Sequence, residues 1–500
     1  MLSLPVQSRW PADWGKFALF IGALTLGLAV GVLPLPWAVG LVVVGLAAVL
    51  ALSDPLWALG FALLLGPTKP YTDVYLVQLP LDLGQLALIG AFGVWALHRM
   101  HKRAIIVPRT PLTPLLGGFI FVGLLSLVDT LSLGAGLTEV LKWVQMLVIV
   151  WVVTVELHER PHQRGFVIGL VLAAAAAQAL IGVWQFGIRG DGPEFFAILG
   201  GDYYRAYGTF EQPNPFGGFL AMASALTIGL ALGAFEEWAA PLFKGRTLRG
   251  ALNKRLWHLL GLGLLLALLV GALVMSWSRG SWLGFAVGVA GILVVWPRKT
   301  WVGVGLAAGG ALSAGGALYF NLLPASVEAR LTGFLADFTT LDVRGVDIND
   351  INYSILERVA HWQAAWEMAR YNPILGVGLG NYEVAYSDFA LINWPNALGH
   401  AHNIYLNMLA EVGVVGLCYY LVMWAAVLWL TWRVTRHKDV WIRSIAIGLF
   451  GVWVHLCAHS FLDKLYVANL HLHLGVMLGL LSALWTANLE KTTHGKPHNN

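Results

Sequence analysis

Residues 257–296 read WHLLGLGLLLALLVGALVMSWSRGSWLGFAVGVAGILVVW. Two apolar runs, near 257–276 and 281–296, are parted only by the turn Ser276-Trp277-Ser278-Arg279-Gly280. A helix needs roughly 17–25 apolar residues to cross a hydrocarbon layer about 30 Å thick. Such runs recur along the whole chain. They lie near 17–34, 36–52, 55–66, 84–98, 112–129, 137–155, 165–187, 215–235, 257–276, 281–296, 301–320, 403–431, 443–461 and 469–487. The 55–66 window is short, and Pro67 and Pro70 end any helix there. The pattern predicts an all-α polytopic membrane protein with 12–14 transmembrane helices. Composition agrees: 58% of the 500 residues are apolar and only 12% are charged. Mean hydropathy is +0.70, too high for a soluble domain that needs a charged surface.

Other classes fall away on the same grounds. The net charge of +4 comes from basic residues scattered between apolar runs, which is no nucleic-acid surface. Cys418 and Cys457 both fall inside spans, so neither a disulfide framework nor a cysteine zinc site is expected. Arg9 and Lys16 precede the first apolar run without a small-residue cleavage pattern after it, which predicts a retained span.

Lysine and arginine favour the cytoplasmic side of a membrane protein. With the N-terminus inside and fourteen alternating spans, 21 of the 31 fall inside, 9 outside and one, Lys142, within a span. Both termini are therefore expected in the cytoplasm. Residues 1–320 form eleven spans and their loops, 321–402 a large, mostly helical outer loop, 403–487 three more spans, and 488–500 a tail. The outer loop carries nine Asp or Glu against four Arg and no Lys, an ordinary solvated balance. Within it Ile355, Val359, Trp362, Trp366 and Ala369 recur at helical spacing, a stripe that packs on the span ends or lies on the bilayer.

Three outer segments carry unusual residues. In Arg205-Ala-Tyr-Gly-Thr-Phe-Glu-Gln-Pro-Asn-Pro-Phe-Gly-Gly, Pro213 and Pro215 are expected to forbid regular helix and to hold Asn214 as a cap or a ligand-binding amide. Arg279 sits between Trp277 and Trp282; a lone interfacial arginine commonly snorkels, yet its fork also matches phosphate oxygens bidentately. The third segment runs from His400 through His402, Asn403, Tyr405, Asn407 and Glu411 to Gly416. Histidine accepts protons near neutral pH, although at a span end it is more often merely interfacial. His455, His459 and Asp463 share a helical face, as mutual partners or a functional stripe, and Glu139 and Lys142 are spaced to pair.

Taken together these segments resemble the O-antigen ligase and polymerase family of bacterial membrane proteins (Wzy- and WaaL-type). The matching pieces are Gly208-Thr-Phe-Glu-Gln-Pro-Asn-Pro-Phe-Gly, Ser276-Trp-Ser-Arg279-Gly, Glu357-Arg358 leading into Asn372-Pro-Ile-Leu-Gly-Val-Gly-Leu-Gly380, and His402-Asn-Ile-Tyr-Leu followed by Glu411-Val-Gly-Val-Val-Gly416. The resemblance implies a fold like the C-type membrane glycosyltransferases. It also implies inverting, metal-independent and cofactor-free transfer from an undecaprenyl-diphosphate-linked glycan to an acceptor sugar, on lipid A core or on another lipid-linked glycan. The site would face the periplasm from the inner membrane. Carried over by position, His402 is the catalytic base, with His400 the runner-up. Arg205, Arg279 and, less directly, Arg358 bind diphosphate, and Asn214, Asn403, Tyr405 and Glu411 support them. Ligase and polymerase differ only in acceptor. An arginine followed by glycine eleven residues on, a feature of some polymerases, occurs here at Arg189 and Gly200, about as often as chance allows. A lipid-linked sugar transporter or flippase is the reading from another class; it would want charges at the bilayer midplane rather than at one face.

Overall fold

The computed structural model describes residues 34–75, 81–102, 107–240, 254–332, 342–349 and 352–494. The first window up to residue 33, with Arg9 and Lys16, the basic residues 244–249 and the final tail residues 495–500 lie outside the described residues. Every other apolar window carries a helix. In chain order they are α1 (Leu35–Ser53), α2 (Pro55–Leu65), α3 (Lys69–Tyr75), α4 (Leu83–His101), α5 (Leu112–Leu125), α6 (Leu133–Glu159), α7 (Arg164–Trp184), α8 (Pro213–Ala239), α9 (Lys254–Met275), α10 (Arg279–Val295) and α11 (Thr300–Tyr319). After the shorter α12 (Ala325–Thr332), α13 (Tyr353–Tyr371) and α14 (Tyr382–Phe389) come α15 (Ile404–Val434), α16 (Val440–His459) and α17 (Leu470–His494). Among the described residues the only sheet is a ribbon of β1 (Ala197–Ile198) and β2 (Tyr203–Tyr204). Among the described residues eight helices are long and apolar enough to cross a bilayer, and three more are shorter apolar helices. The chain is an all-α polytopic membrane protein.

Local chemistry sets the helix starts. Ser278, Asn403 and Asp439 each place a side-chain oxygen on amides in the first turn of α10, α15 and α16, groups that otherwise have no partner. The prolines at 213 and 215 correct the sequence reading. They do not break helix but open α8, because a first-turn proline lacks an N–H that would have had no intrahelical acceptor.

Helices α6, α8, α10, α16 and α17 form the centre, with 83% of the α17 window buried against 6% for α11 at the rim. Glycine permits a close crossing: a Cβ on Gly229 of α8 would lie 2.3 Å from the Gly448 nitrogen of α16. Where α4 and α6 end and α16 begins, buried and half-buried cations meet carboxylates. Arg99 pairs with Glu156 at 2.8 Å and with Glu159, Arg160 with Asp54 and Glu156, and Arg443 with Glu236 at 2.8 Å.

Helix α15 is broken at Gly413, and the segment 372–380 fills the notch. Amides of Val377 and Gly378 donate to the Ala410 and Glu411 carbonyls at 2.9 Å, and Val414 N–H donates to Pro373 O at 2.8 Å. At φ 63°, ψ −168°, Gly413 occupies a region reserved for glycine, and a Cβ there would sit 2.2 Å from Ile374 O. Gly413→Ala is therefore expected to destabilise the protein by at least ~1–3 kcal/mol from backbone strain alone. Thermal unfolding in detergent checks this, and an unshifted midpoint would show that the notch tolerates a methyl group.

The outer helix α13 buries Leu356, Val359, Ala360, Ala364, Ala365 and Met368. Of the stripe read in the sequence, Val359 and Ala369 are buried and Ile355 and Trp362 pack beside a core cluster, while Trp366 is 53% exposed.

Candidate active site at one end of the bundle

Two cavities open where α6, α8, α10, α15 and α17 begin and α16 finishes. The larger, about 850 Å³, includes Glu139, His400, His402, Glu411 and Lys464 in its wall. The smaller, about 240 Å³, is lined by Arg205, Arg279, Arg330, Arg358 and His459, among others. Asn214 and Asp463 belong to both walls.

The arginine cavity is assembled from distant segments. Arg205 follows β2; its N–H donates to Phe196 O at 3.0 Å, and Ala206 N–H donates to Met275 O at 2.9 Å, which pins the loop to the end of α9. Its Nε donates to Ser276 O at 2.9 Å and its Nη2 to Asn214 Oδ1 at 3.2 Å. Ser278 Oγ also donates to Asn214 Oδ1, at 2.9 Å, so Asn214 ties Arg205 to the α9–α10 turn and caps nothing. Trp277, held at φ 53°, offers its carbonyl to Arg330 Nη2 at 3.1 Å. Burial, and then the charges of Arg330, Arg358 and Arg279, push the Arg205 guanidinium down to about 9. Burial with Arg279 and Arg358 pushes Arg330 down to about 10. At the far end of the bundle cations meet carboxylates. Here Arg205 and Arg330 are held by carbonyls and an amide, and four like charges share one small cavity. That arrangement is built for an anion with several oxygens.

The histidine wall is fixed just as firmly. Ile404 N–H donates to Ser460 O at 2.9 Å, which docks the start of α15 on the end of α16. Asn403 caps α15 through the amides of Tyr405 and Leu406, and Tyr405 donates its hydroxyl to Cys457 O at 2.8 Å. Both side chains hold the helix rather than face the cavity. Glu411 does line it, accepting Tyr382 N–H at 3.2 Å. His402 itself sits at φ 50°, a left-handed conformation that costs a non-glycine residue strain and is found preferentially at functional sites. Its N–H donates to His400 Nδ1 at 3.0 Å, so a neutral His400 carries its proton on Nε2. That Nε2 faces Asp463 Oδ1 at 3.6 Å, and His402 Nδ1 faces the same oxygen at 3.5 Å. Burial, then the neighbouring His402, pushes His400 down to about 3, so it is uncharged near neutral pH. For Asp463 burial acts upward, but the contact with His402 outweighs it and holds the carboxyl below the usual carboxylate range. An ionised Asp463 favours the proton on His402 Nδ1 and leaves Nε2 with its lone pair.

Asp463 does not continue α16 as the stripe implied. The helix ends at His459, and Asp463 turns toward His400 and His402. His455 and His459 remain neighbours inside the bundle, with ring centroids 5.4 Å apart. Glu139 and Lys142 pair at 2.5 Å as their spacing implies, and Lys464 joins them, 3.5 Å from Glu139. Arg330 and Asp463 are the two site residues whose part the sequence did not disclose. Arg330 is one of four arginines in an acidic loop, and the spacing of Asp463 matches a helix-face residue. His400, His402 and Asp463 also offer one ligand atom each within 4.8 Å of one another, the donor types of a divalent-cation site.

Residues 264–421 match the family model described as O-antigen ligase. Over that third of the chain the sequence is similar to the O-antigen ligase family. No curated protein matches the sequence. The matched stretch contains Arg279, Arg330, Arg358, His400, His402 and Glu411, whereas Arg205, Asn214 and Asp463 come from segments that flank it. At the level of the family, that match supports lipid-linked glycan transfer by a glycosyltransferase-type enzyme.

Proposed function

We propose that the protein transfers a glycan from an undecaprenyl-diphosphate-linked donor to an acceptor sugar hydroxyl at the outer face of the inner membrane, as in ligation of O-antigen to lipid A core. One observation carries this reading. The four-arginine cavity and the cavity holding His402 share Asn214 and Asp463, so an anionic leaving group and a base are adjacent. The lysine and arginine bias of the loops supports cytoplasmic termini and a periplasmic site.

The donor diphosphate lies among Arg205, Arg279, Arg330 and Arg358. The acceptor hydroxyl reaches the anomeric carbon from the opposite side and gives its proton to His402 Nε2, while Asp463 stabilises the imidazolium. The new carbon–oxygen bond forms as the bond to the phosphate oxygen breaks, which inverts the anomeric centre. The leaving diphosphate gains charge as the bond breaks, and fixed guanidiniums favour that change over the ground state. His402 then returns its proton to solvent.

Protein reconstituted with lipid-linked donor, candidate acceptors and a metal chelator tests the reading. Polyprenyl diphosphate should be released in step with glycosylated acceptor. Absence of release with lipid A core and with lipid-linked repeats alike would sink glycan transfer. Activity abolished by the chelator and restored by a divalent ion would reassign His400, His402 and Asp463 as its ligands. Consumption of lipid-linked repeats instead of core would make the protein a polymerase with the same machinery.

A further inference from the structure

A third cavity, about 510 Å³, adjoins the site, walled by Tyr71, Tyr75, Trp184, Arg189 and Tyr207 among others. Glu211 lines both this groove and the large cavity that holds His402. The groove shares no lining residue with the arginine cavity.

The groove is built, not incidental. Its floor is the turn 207–209, which is locked to α7 by two glutamines. Gln185 accepts the amides of Tyr207 and Gly208 at 3.1 and 2.7 Å and donates to Gly208 O at 2.9 Å, and Gln178 accepts Thr209 N–H at 3.0 Å. Residues 185–189 form a single π-helical turn, a feature frequent at functional sites. Arg189 donates to the Tyr207 hydroxyl at 3.2 Å and lies 5.8 Å from the centre of the Trp184 ring. The rings of Tyr71 and Tyr75 lie 4.8 Å apart, and Glu211 lines the same groove. Glu211, which lines both cavities, is held at φ 54°, a strained backbone conformation for a non-glycine residue.

Aromatic side chains at a membrane surface commonly form a lipid-facing belt. That accounts for exposed rings such as Tyr75 at 54% and Trp184 at 47%, but not for Arg189, held by Asp191 at 2.5 Å and by the Tyr207 hydroxyl, and Glu211 lining the same groove. Flat rings beside fixed hydrogen-bonding groups suit a pyranose, which has apolar C–H faces and a polar rim. We propose that this groove is a glycan subsite holding the sugars of the acceptor beyond the one that reacts. The proposal rests on the transfer reading for its direction. In-line displacement places the acceptor opposite the diphosphate, and the groove meets the His402 cavity while avoiding the arginine cavity.

Binding tests it without requiring turnover. Full-length His402→Ala protein in nanodiscs is titrated with soluble core oligosaccharide and, separately, with repeat-unit oligosaccharide, both freed of lipid. Core oligosaccharide should bind, about tenfold more weakly to a Tyr75→Ala, Trp184→Ala double variant, with Tyr75→Phe close to the parent because the ring remains. Equal binding by parent and double variant would overturn the subsite. Binding of the repeat-unit oligosaccharide alone would overturn its assignment to a core acceptor. Glycan transfer can fail in reconstitution while this binding persists, so the two readings stand or fall separately.

Discussion

Replacing His402 with alanine should slow transfer by a factor of at least about 100, the lower end of what a positioned base contributes, while affinity for the lipid-linked donor stays near that of the parent. The separation follows from geometry, because the arginine cavity is built from Arg205, Arg279, Arg330 and Arg358 and His402 is not in its wall. Asp463→Asn should lower kcat less than His402→Ala. The asparagine amide can still face Nδ1, but it no longer offsets the charge that His402 gains. His400 provides the internal control. It accepts the His402 N–H through Nδ1 and turns its other nitrogen to Asp463, so His400→Gln should retain more activity than His402→Ala. The reverse ranking would move the base to His400.

Arg205→Lys should reduce kcat/KM for the donor by about tenfold or more although the charge is retained. The Arg205 fork spends Nε on Ser276 O and one Nη on Asn214, and so aims what remains of its edge into the cavity. A lysine ammonium cannot hold both anchors and still present a planar pair of donors to phosphate. Arg279→Lys should behave alike, and Arg330→Ala should weaken donor use with little effect on acceptor KM. Unaltered donor kinetics in Arg205→Lys would mean that the cavity supplies charge without geometry.

The membrane architecture was legible because a bilayer imposes one strong rule: apolar runs long enough to cross must satisfy their backbones as helix. All apolar windows that fall on described residues are helical. Arg205, Arg279, Arg358, His400 and His402 stood out in the sequence as residue types unusual beside apolar spans, and they line two adjoining cavities. What the sequence concealed depends on where helices stop. Asp463 kept helical register with His455 and His459, so nothing in the spacing revealed that α16 ends at His459 and releases Asp463 toward His402. Pro213 and Pro215 misled for a related reason, since the same residue that breaks a helix in its middle is welcome in its first turn. Asn403 and Tyr405 sat inside the most telling motif, yet their side chains serve the backbone. Proximity in a motif is not proximity to the chemistry.

The mutual repulsion of Arg205 and its neighbours has a kinetic corollary on the transfer reading. Guanidiniums that welcome charge building on a departing diphosphate hold the finished diphosphate even more strongly, because its charge is then fully developed. Spent carrier lipid should thus linger after the sugar bond is made, and its escape into the bilayer, not bond exchange, would set the pace of each cycle.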